Sequence, residues 1–184
     1  MPPGAVIPML ESVPATSSVH PFVVKPGEGL DTPLGQLATL HKLPENLADG
    51  RLAIVEHALP PWQLAAPLHR HSREDELSIV LAGQLGARLG DEVVIAGPGD
   101  LIFKPRHQWH TFWNAGDEPA RILEIISPSG FERFFEELVD LGGAVNADPR
   151  ALAELCERYG LEMAPDTISG LVERFGLRVS GDTA

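Results

Sequence analysis

With 184 residues and 43% hydrophobic content, the chain has apolar material for one compact domain with a sizeable core, and two independent domains are not expected. A formal net charge of −12 argues against a nucleic-acid backbone or an anionic membrane surface as partner, because both need clustered Lys and Arg. The single cysteine, Cys156, cannot form an internal disulfide, and no cysteine-based zinc cluster is present, which fits a reducing, cytoplasmic setting.

The N-terminus, Met1-Pro-Pro-Gly, lacks a basic region, and Pro8 and Pro14 break its apolar stretch, so it reads as a poor signal peptide. No segment has the length of a membrane span. Residues 1–20, rich in Pro, Ser, Ala and Val, read as a flexible N-terminal arm. From residue 21 to 127 short apolar runs alternate with turn residues. These are Phe22-Val-Val, Gln36-Leu-Ala-Thr-Leu, Leu52 to Leu59, Leu77-Ser-Ile-Val-Leu, Leu85 to Leu89, Glu92-Val-Val-Ile, Asp100 to Lys104, His110-Thr-Phe-Trp and Ala120 to Ile126. Turns at Ala82-Gly83-Gln84, Gly90-Asp91, Gly97 to Asp100 and Asn114 to Asp117 punctuate them at the intervals of a sandwich or barrel, which makes an all-β core.

The rhythm changes over residues 128–184, a helical extension. Apolar residues Phe131, Phe134, Phe135, Leu138 and Leu141 fall at helical spacing and stop at Gly142-Gly143. Asp148-Pro149 supplies an N-cap and a first-turn proline for a second helix that closes at Gly160, and a third runs from about Thr167 to Phe175 before the tail Leu177-Arg-Val. These helices are expected to cover the sheet, a partner subunit or the barrel mouth.

The chemistry concentrates in two patches. His69 and His71 flank the outward-pointing Arg70 on an extended strand, so both imidazoles share one face. After the charged turn Ser72 to Asp75, Glu76 opens the returning strand beside them, and a second patch ends in His110. Three nitrogens and one oxygen suit divalent iron, manganese, nickel, copper or zinc, one per chain, with a coordination position left for water, oxygen or substrate. Glu74 and Asp75 compete with Glu76 for the ligand role but read as solvated turn charges. Alternation from His110 aims Phe112 with the ligand and Trp113 away, and Phe103 and Phe112 are placed in the cavity wall. His107 either faces the cavity as part of the substrate pocket or occupies a left-handed turn. His57 is read as a satisfied strand histidine, with it or Glu56 turned into the barrel, and His20 and His41 lie outside both patches.

Over residues 50–127 these patches resemble the cupins. The first cupin motif, G(X)5HXH(X)3,4E(X)6G, fits Gln63 through His69, His71, Glu76 and Gly83, with Gln63 where the first glycine is expected. The second, G(X)5PXG(X)2H(X)3N, fits Gly99, Pro105, His107, His110 and Asn114, with His107 in place of glycine. The resemblance implies a double-stranded β-helix (jelly-roll) barrel, metal bound by His69, His71, Glu76 and His110, and a homodimer packed sheet against sheet. For activity it implies a metal-dependent dioxygenase of the quercetinase-like branch acting on a small organic molecule, with Glu76 as ligand and candidate proton acceptor. The alternatives are a non-catalytic binding or sensor protein and a non-oxidative enzyme such as an isomerase or lyase.

Overall fold

The computed structural model describes residues 22–32, 37–43, 49–144 and 146–179. The arm at residues 1–20, His20 and Gln36 lie outside the described residues. Phe22-Val-Val carries no regular structure. Eleven strands follow: β1 Leu30–Asp31, β2 Ala38–Leu43, β3 Ala53–Leu59, β4 Leu68–His71, β5 Asp75–Ala82, β6 Leu85–Leu89, β7 Glu92–Ala96, β8 Leu101–Lys104, β9 His110–Asn114, β10 Ala120–Ser127 and, beyond two helices, β11 Leu161–Ala164. They form two antiparallel sheets, ordered β1-β2-β3-β10-β5-β8 and β11-β4-β9-β6-β7, and the protein is a jelly-roll barrel with C-terminal helices.

Strict alternation makes the walls. On β10, Ala120, Ile122, Glu124 and Ile126 are buried while the residues between them are partly exposed, and β5 buries Glu76, Ser78 and Val80 in the same way. Gly83 ends β5 with φ 74, and a side chain there would meet Ala120 Cα at 2.7 Å and the Pro119 carbonyl at 2.8 Å, so the turn admits only glycine. One core cluster fills the barrel between the sheets, with Leu59, Val80, Leu85, Ile102, Phe112 and Ile122 at its centre.

The helices are α1 Glu132–Asp140, α2 Pro149–Tyr159 and α3 Ile168–Phe175, the last preceded by a 3-10 turn at Pro165–Thr167. Asp148 accepts from the Arg150 and Ala151 amides, and Gly160 closes α2 in the left-handed conformation, as the sequence signals require. Helices α1 and α2 pack against the barrel, with Phe131, Phe134, Leu138 and Leu155 clustered with Val55, Ile126 and Leu161. Helix α3 packs instead on the outside of β9, where Trp113 stacks on Phe175 with ring centroids 4.5 Å apart. The four-residue strand β11 was not expected. It pairs with β4, the strand of His69 and His71, Leu161 opposite His71 and Met163 opposite His69, so the helical extension also contributes an edge to the barrel. Among the described residues no helix is long and apolar enough to cross a membrane.

Candidate metal centre

Three strands bring the cluster together. On β4, His69 and His71 point inward while Arg70 points out, ion-paired to Glu162 at 2.7 Å and set over the Trp109 ring. His69 pairs across to His110 at the start of β9, and Glu76 enters from β5. All four side chains are buried, and their ligating atoms lie within 4.8 Å of one another.

Two of the three imidazoles are oriented by a backbone carbonyl. His69 Nδ1 donates to the Pro67 carbonyl at 2.8 Å and His110 Nδ1 donates to the Gln108 carbonyl at 2.9 Å, because a carbonyl can only accept. Both Nε2 atoms then carry lone pairs into the cluster. His110 Nε2 lies 3.2 Å from Glu76 Oε2, and His71 Nε2 lies 3.4 Å from Glu76 Oε1. Neither nitrogen of His71 has a hydrogen-bond partner. Burial, reinforced by the other histidines, keeps His69 neutral by lowering it well below its ordinary range, and burial lowers His110 as well. Burial alone would raise the Glu76 carboxyl, but Lys104, then His71 and His110, outweigh it and hold it far down. Neutral imidazole lone pairs therefore face a carboxylate with no proton to share, an arrangement of acceptors that a divalent cation completes.

Glu74 departs from the expected solvated turn. It is buried, with Oε2 3.6 Å from His71 Nδ1, beyond hydrogen-bond distance. Asp75 does lie at the surface, bound bidentately by Arg106, which lowers its carboxyl to about 2.

Phe112 lies in the cavity wall as alternation requires, but Phe103 does not. Register places Glu76 opposite Lys104 and Leu77 opposite Phe103, so Lys104 turns inward and Phe103, 51% exposed, lies on the outer face. His107 is an exposed turn residue with φ 67, outside the cavity. Its amide donates to the His71 carbonyl at 2.7 Å, so it holds the β4 ligand strand through its backbone. Gln63, at the other departure from the cupin motifs, is buried and donates to the Leu64 carbonyl, and the left-handed residue of its loop is Trp62.

Sequence reasoning missed two charged residues inside the barrel. Lys104, 1% exposed, reaches Glu76 Oε2 at 3.0 Å and Glu124 Oε2 at 2.9 Å, and Ser78 Oγ donates to the same Glu124 oxygen at 2.7 Å. Burial pushes the Glu124 carboxyl up to about 7 although Lys104 pulls it down, and its Oε1 has no partner. Period-two alternation from Glu76 and Ile122 marks Ser78 and Glu124 as inward, and that polar pair at core positions was the available signal. His57 is likewise inward, accepting from or donating to Thr39 Oγ1 at 3.1 Å, whereas Glu56 faces out to Arg121 and Lys42.

Above the cluster is a cavity of about 100 Å³ lined by His57, His69, Glu76, Phe112 and Glu124, with Phe131, Phe134 and Phe135 of the α1 segment as its roof.

Residues 55–126 match the family model of the cupin domain. Among solved structures, the fold is similar to that of a predicted oxalate decarboxylase from Thermotoga maritima, with TM-score 0.55 and 21% identity over 59% of this chain and 100% of that one. It is also similar to the Streptomyces protein Pac13, with TM-score 0.50 and 16% identity over 62% and 88% of the two chains; Pac13 is described as a nucleoside dehydratase. No curated protein matches the chain. At these identities the likenesses establish the barrel and leave its chemistry to the site.

Proposed function

We propose that this chain, whose residues 55–126 match the cupin domain model, is a metal-dependent enzyme acting on a small, uncharged organic molecule held between the ligand cluster and the aromatic roof. The observation that carries this reading is the acceptor cluster of His69, His71, Glu76 and His110, of which His69 and Glu76 line a largely apolar cavity. Those four residues would hold one divalent transition metal, which would supply Lewis acidity to a substrate oxygen. The protein supplies the rest. Phe112, Phe131 and Phe135 exclude water and strengthen every charge interaction within. Glu124, with one oxygen anchored and the other unpartnered, is a carboxyl that takes and returns a proton near neutral pH.

The charge of the substrate follows from the inventory of cations. Of the 14 Lys and Arg residues only Lys104 is buried, and it is committed to Glu76 and Glu124. No protein cation lines the cavity, so beyond the metal itself a carboxylate or phosphate would find no matching side chain beside Glu124. Proton transfer on a hydroxylated or carbonyl compound, an isomerase or lyase reaction, fits this wall best.

The apolar lining favours a second reading, a dioxygenase, since it admits dioxygen and excludes water. A three-ring flavonol of the quercetinase-like kind needs more room than about 100 Å³, given that pockets for drug-sized ligands span ~300–1,000 Å³, so it requires α1 to move. Metal-loaded protein incubated in deuterated water without oxygen, against hydroxy-ketones, diketones, catechols and flavonols, separates the readings. Deuterium incorporation or isomerised product supports the first; turnover only with oxygen uptake supports the second. Stoichiometric metal without either would make the barrel a binding protein.

We also propose a homodimer. The outer face of β5 and β8 presents Leu77, Ile79, Leu81, Leu101 and Phe103, with Leu77 opposite Phe103 and Ile79 opposite Leu101. Leu81, Leu101 and Phe103 are all exposed. A second copy packed sheet on sheet would cover this strip.

A further inference from the structure

We propose that Lys104 is a positioning residue of the metal centre: it clamps Glu76 Oε2 against Glu124, so that Glu76 offers only Oε1 to the ion and the site keeps a built-in positive charge. This inference rests on the metal-binding reading above.

The geometry is a ladder across three strands. Lys104 on β8 stands opposite Glu76 on β5, and Ser78, the next inward residue of β5, stands opposite Glu124 on β10. Lys104 Nζ lies 3.0 Å from Glu76 Oε2 and 2.9 Å from Glu124 Oε2, and Ser78 Oγ fixes that Glu124 oxygen from the far side at 2.7 Å. The ammonium also sits over the Phe112 ring, 4.7 Å from its centroid. It is thus held from three directions in a buried site, where an unpaired charge would be intolerable.

Two consequences reach the metal. A carboxylate with both oxygens free can chelate a divalent ion through both, whereas Glu76 Oε2, 3.2 Å from His110 Nε2, is already engaged by an ammonium, and Oε1, free of it, is turned toward His71 Nε2 at 3.4 Å. One-oxygen ligation keeps a coordination position open for another molecule. The ammonium also cancels the charge of Glu124, so the site keeps the charge of a simple three-histidine, one-carboxylate site. An ion of charge two with two carboxylates and one ammonium leaves one positive charge inside the barrel, enough to stabilise one developing oxyanion. Without Lys104 the same groups would be neutral.

Cobalt(II) is the probe, because its visible absorption weakens as coordination number rises. The full chain, Lys104→Met and the double variant Lys104→Met/Glu124→Gln are titrated with the metal alone after their fold is checked by circular dichroism. The native chain is expected to bind one cobalt. Lys104→Met is expected to bind it more tightly, by on the order of tenfold or more, since a nearby cation is gone, and with weaker absorption per ion as Glu76 engages both oxygens. The double variant loses one charge of each sign, so its affinity returns to within a few-fold of native while its absorption stays altered. A double variant whose spectrum superimposes on the native one would overturn the clamp, and so would a double variant that cannot fold, since Lys104 would then be a stability element. A native chain that binds no cobalt would instead overturn the metal-binding reading, which keeps the two failures distinct.

Discussion

The ring of Phe131 stands edge-on against that of His71, with centroids 4.3 Å apart. Phe131 precedes α1 and is itself stacked on Phe134 at 5.0 Å, so one contact joins the helical extension to the ligand cluster. Phe131→Ala should destabilise the protein by ~3–5 kcal/mol, the range for deleting a buried aromatic ring, and should open the cavity to solvent. Release of bound metal to a chelator, followed against denaturant unfolding, checks both effects. Faster release is expected; a release rate equal to that of the native chain would place the route to the site elsewhere.

Gly83 and His107 mark two turns with the same backbone requirement and different surroundings. Both have positive φ, 74 and 67, but only at Gly83 would a side chain strike neighbouring backbone. Gly83→Ala should therefore cost more than ~2 kcal/mol. At His107 the side chain is already accommodated in solvent, so His107→Gly should change stability by no more than about 1 kcal/mol, as relief of left-handed strain is offset by greater chain entropy. Urea unfolding measures both. Lost metal binding in His107→Gly would return that side chain to the cavity.

His57 makes stability depend on acid. Burial, aided by Lys104, lowers the imidazole to about 3, so between its ordinary value near 6.5 and 3 the unfolded chain binds a proton that the folded chain refuses. Stability contributed by this group is full above pH ~6.5 and falls as pH drops toward 3, at up to ~1.4 kcal/mol per pH unit. In metal-free protein, urea unfolding from pH 7 to 4 should show a shallower pH dependence for His57→Gln than for the native chain. Parallel profiles would mean that His57 is protonated in the fold.

Phe103 tests the outer face. Placing a charge there, Phe103→Glu, should dissociate the proposed dimer in sedimentation velocity without unfolding the barrel, because the side chain is 51% exposed in the single chain. A native chain that sediments as a monomer would remove the dimer.

The strands, the caps of α2 and the convergence of His69, His71, Glu76 and His110 were legible because each writes a local signal: alternation, Asp148-Pro149 before a helix with Gly160 after it, and an HXH on one strand face. The misplacement of Phe103 has a simple origin. Its aromatic character suggested a cavity wall, but register with β5 counts outward from Glu76 and gives the inward position to Lys104. Lysine inside a barrel is improbable from composition alone and becomes acceptable only once Glu76 and Glu124, distant in sequence, close around it. Glu74 was misread for a related reason, since a charged turn says nothing of the His71 ring behind it. Strand β11 escaped because four residues between two helices carry too short a pattern to distinguish from a loop.

The most direct test is the metal content of the full chain after loading with cobalt or zinc and exhaustive dialysis, beside His71→Ala, His110→Ala and Arg70→Ala. One ion per chain in the native protein and in Arg70→Ala, and none in the two histidine variants, is the result expected from imidazoles that converge while Arg70 points away. Native protein without metal, or stoichiometric metal in both histidine variants, would contradict the four-ligand centre.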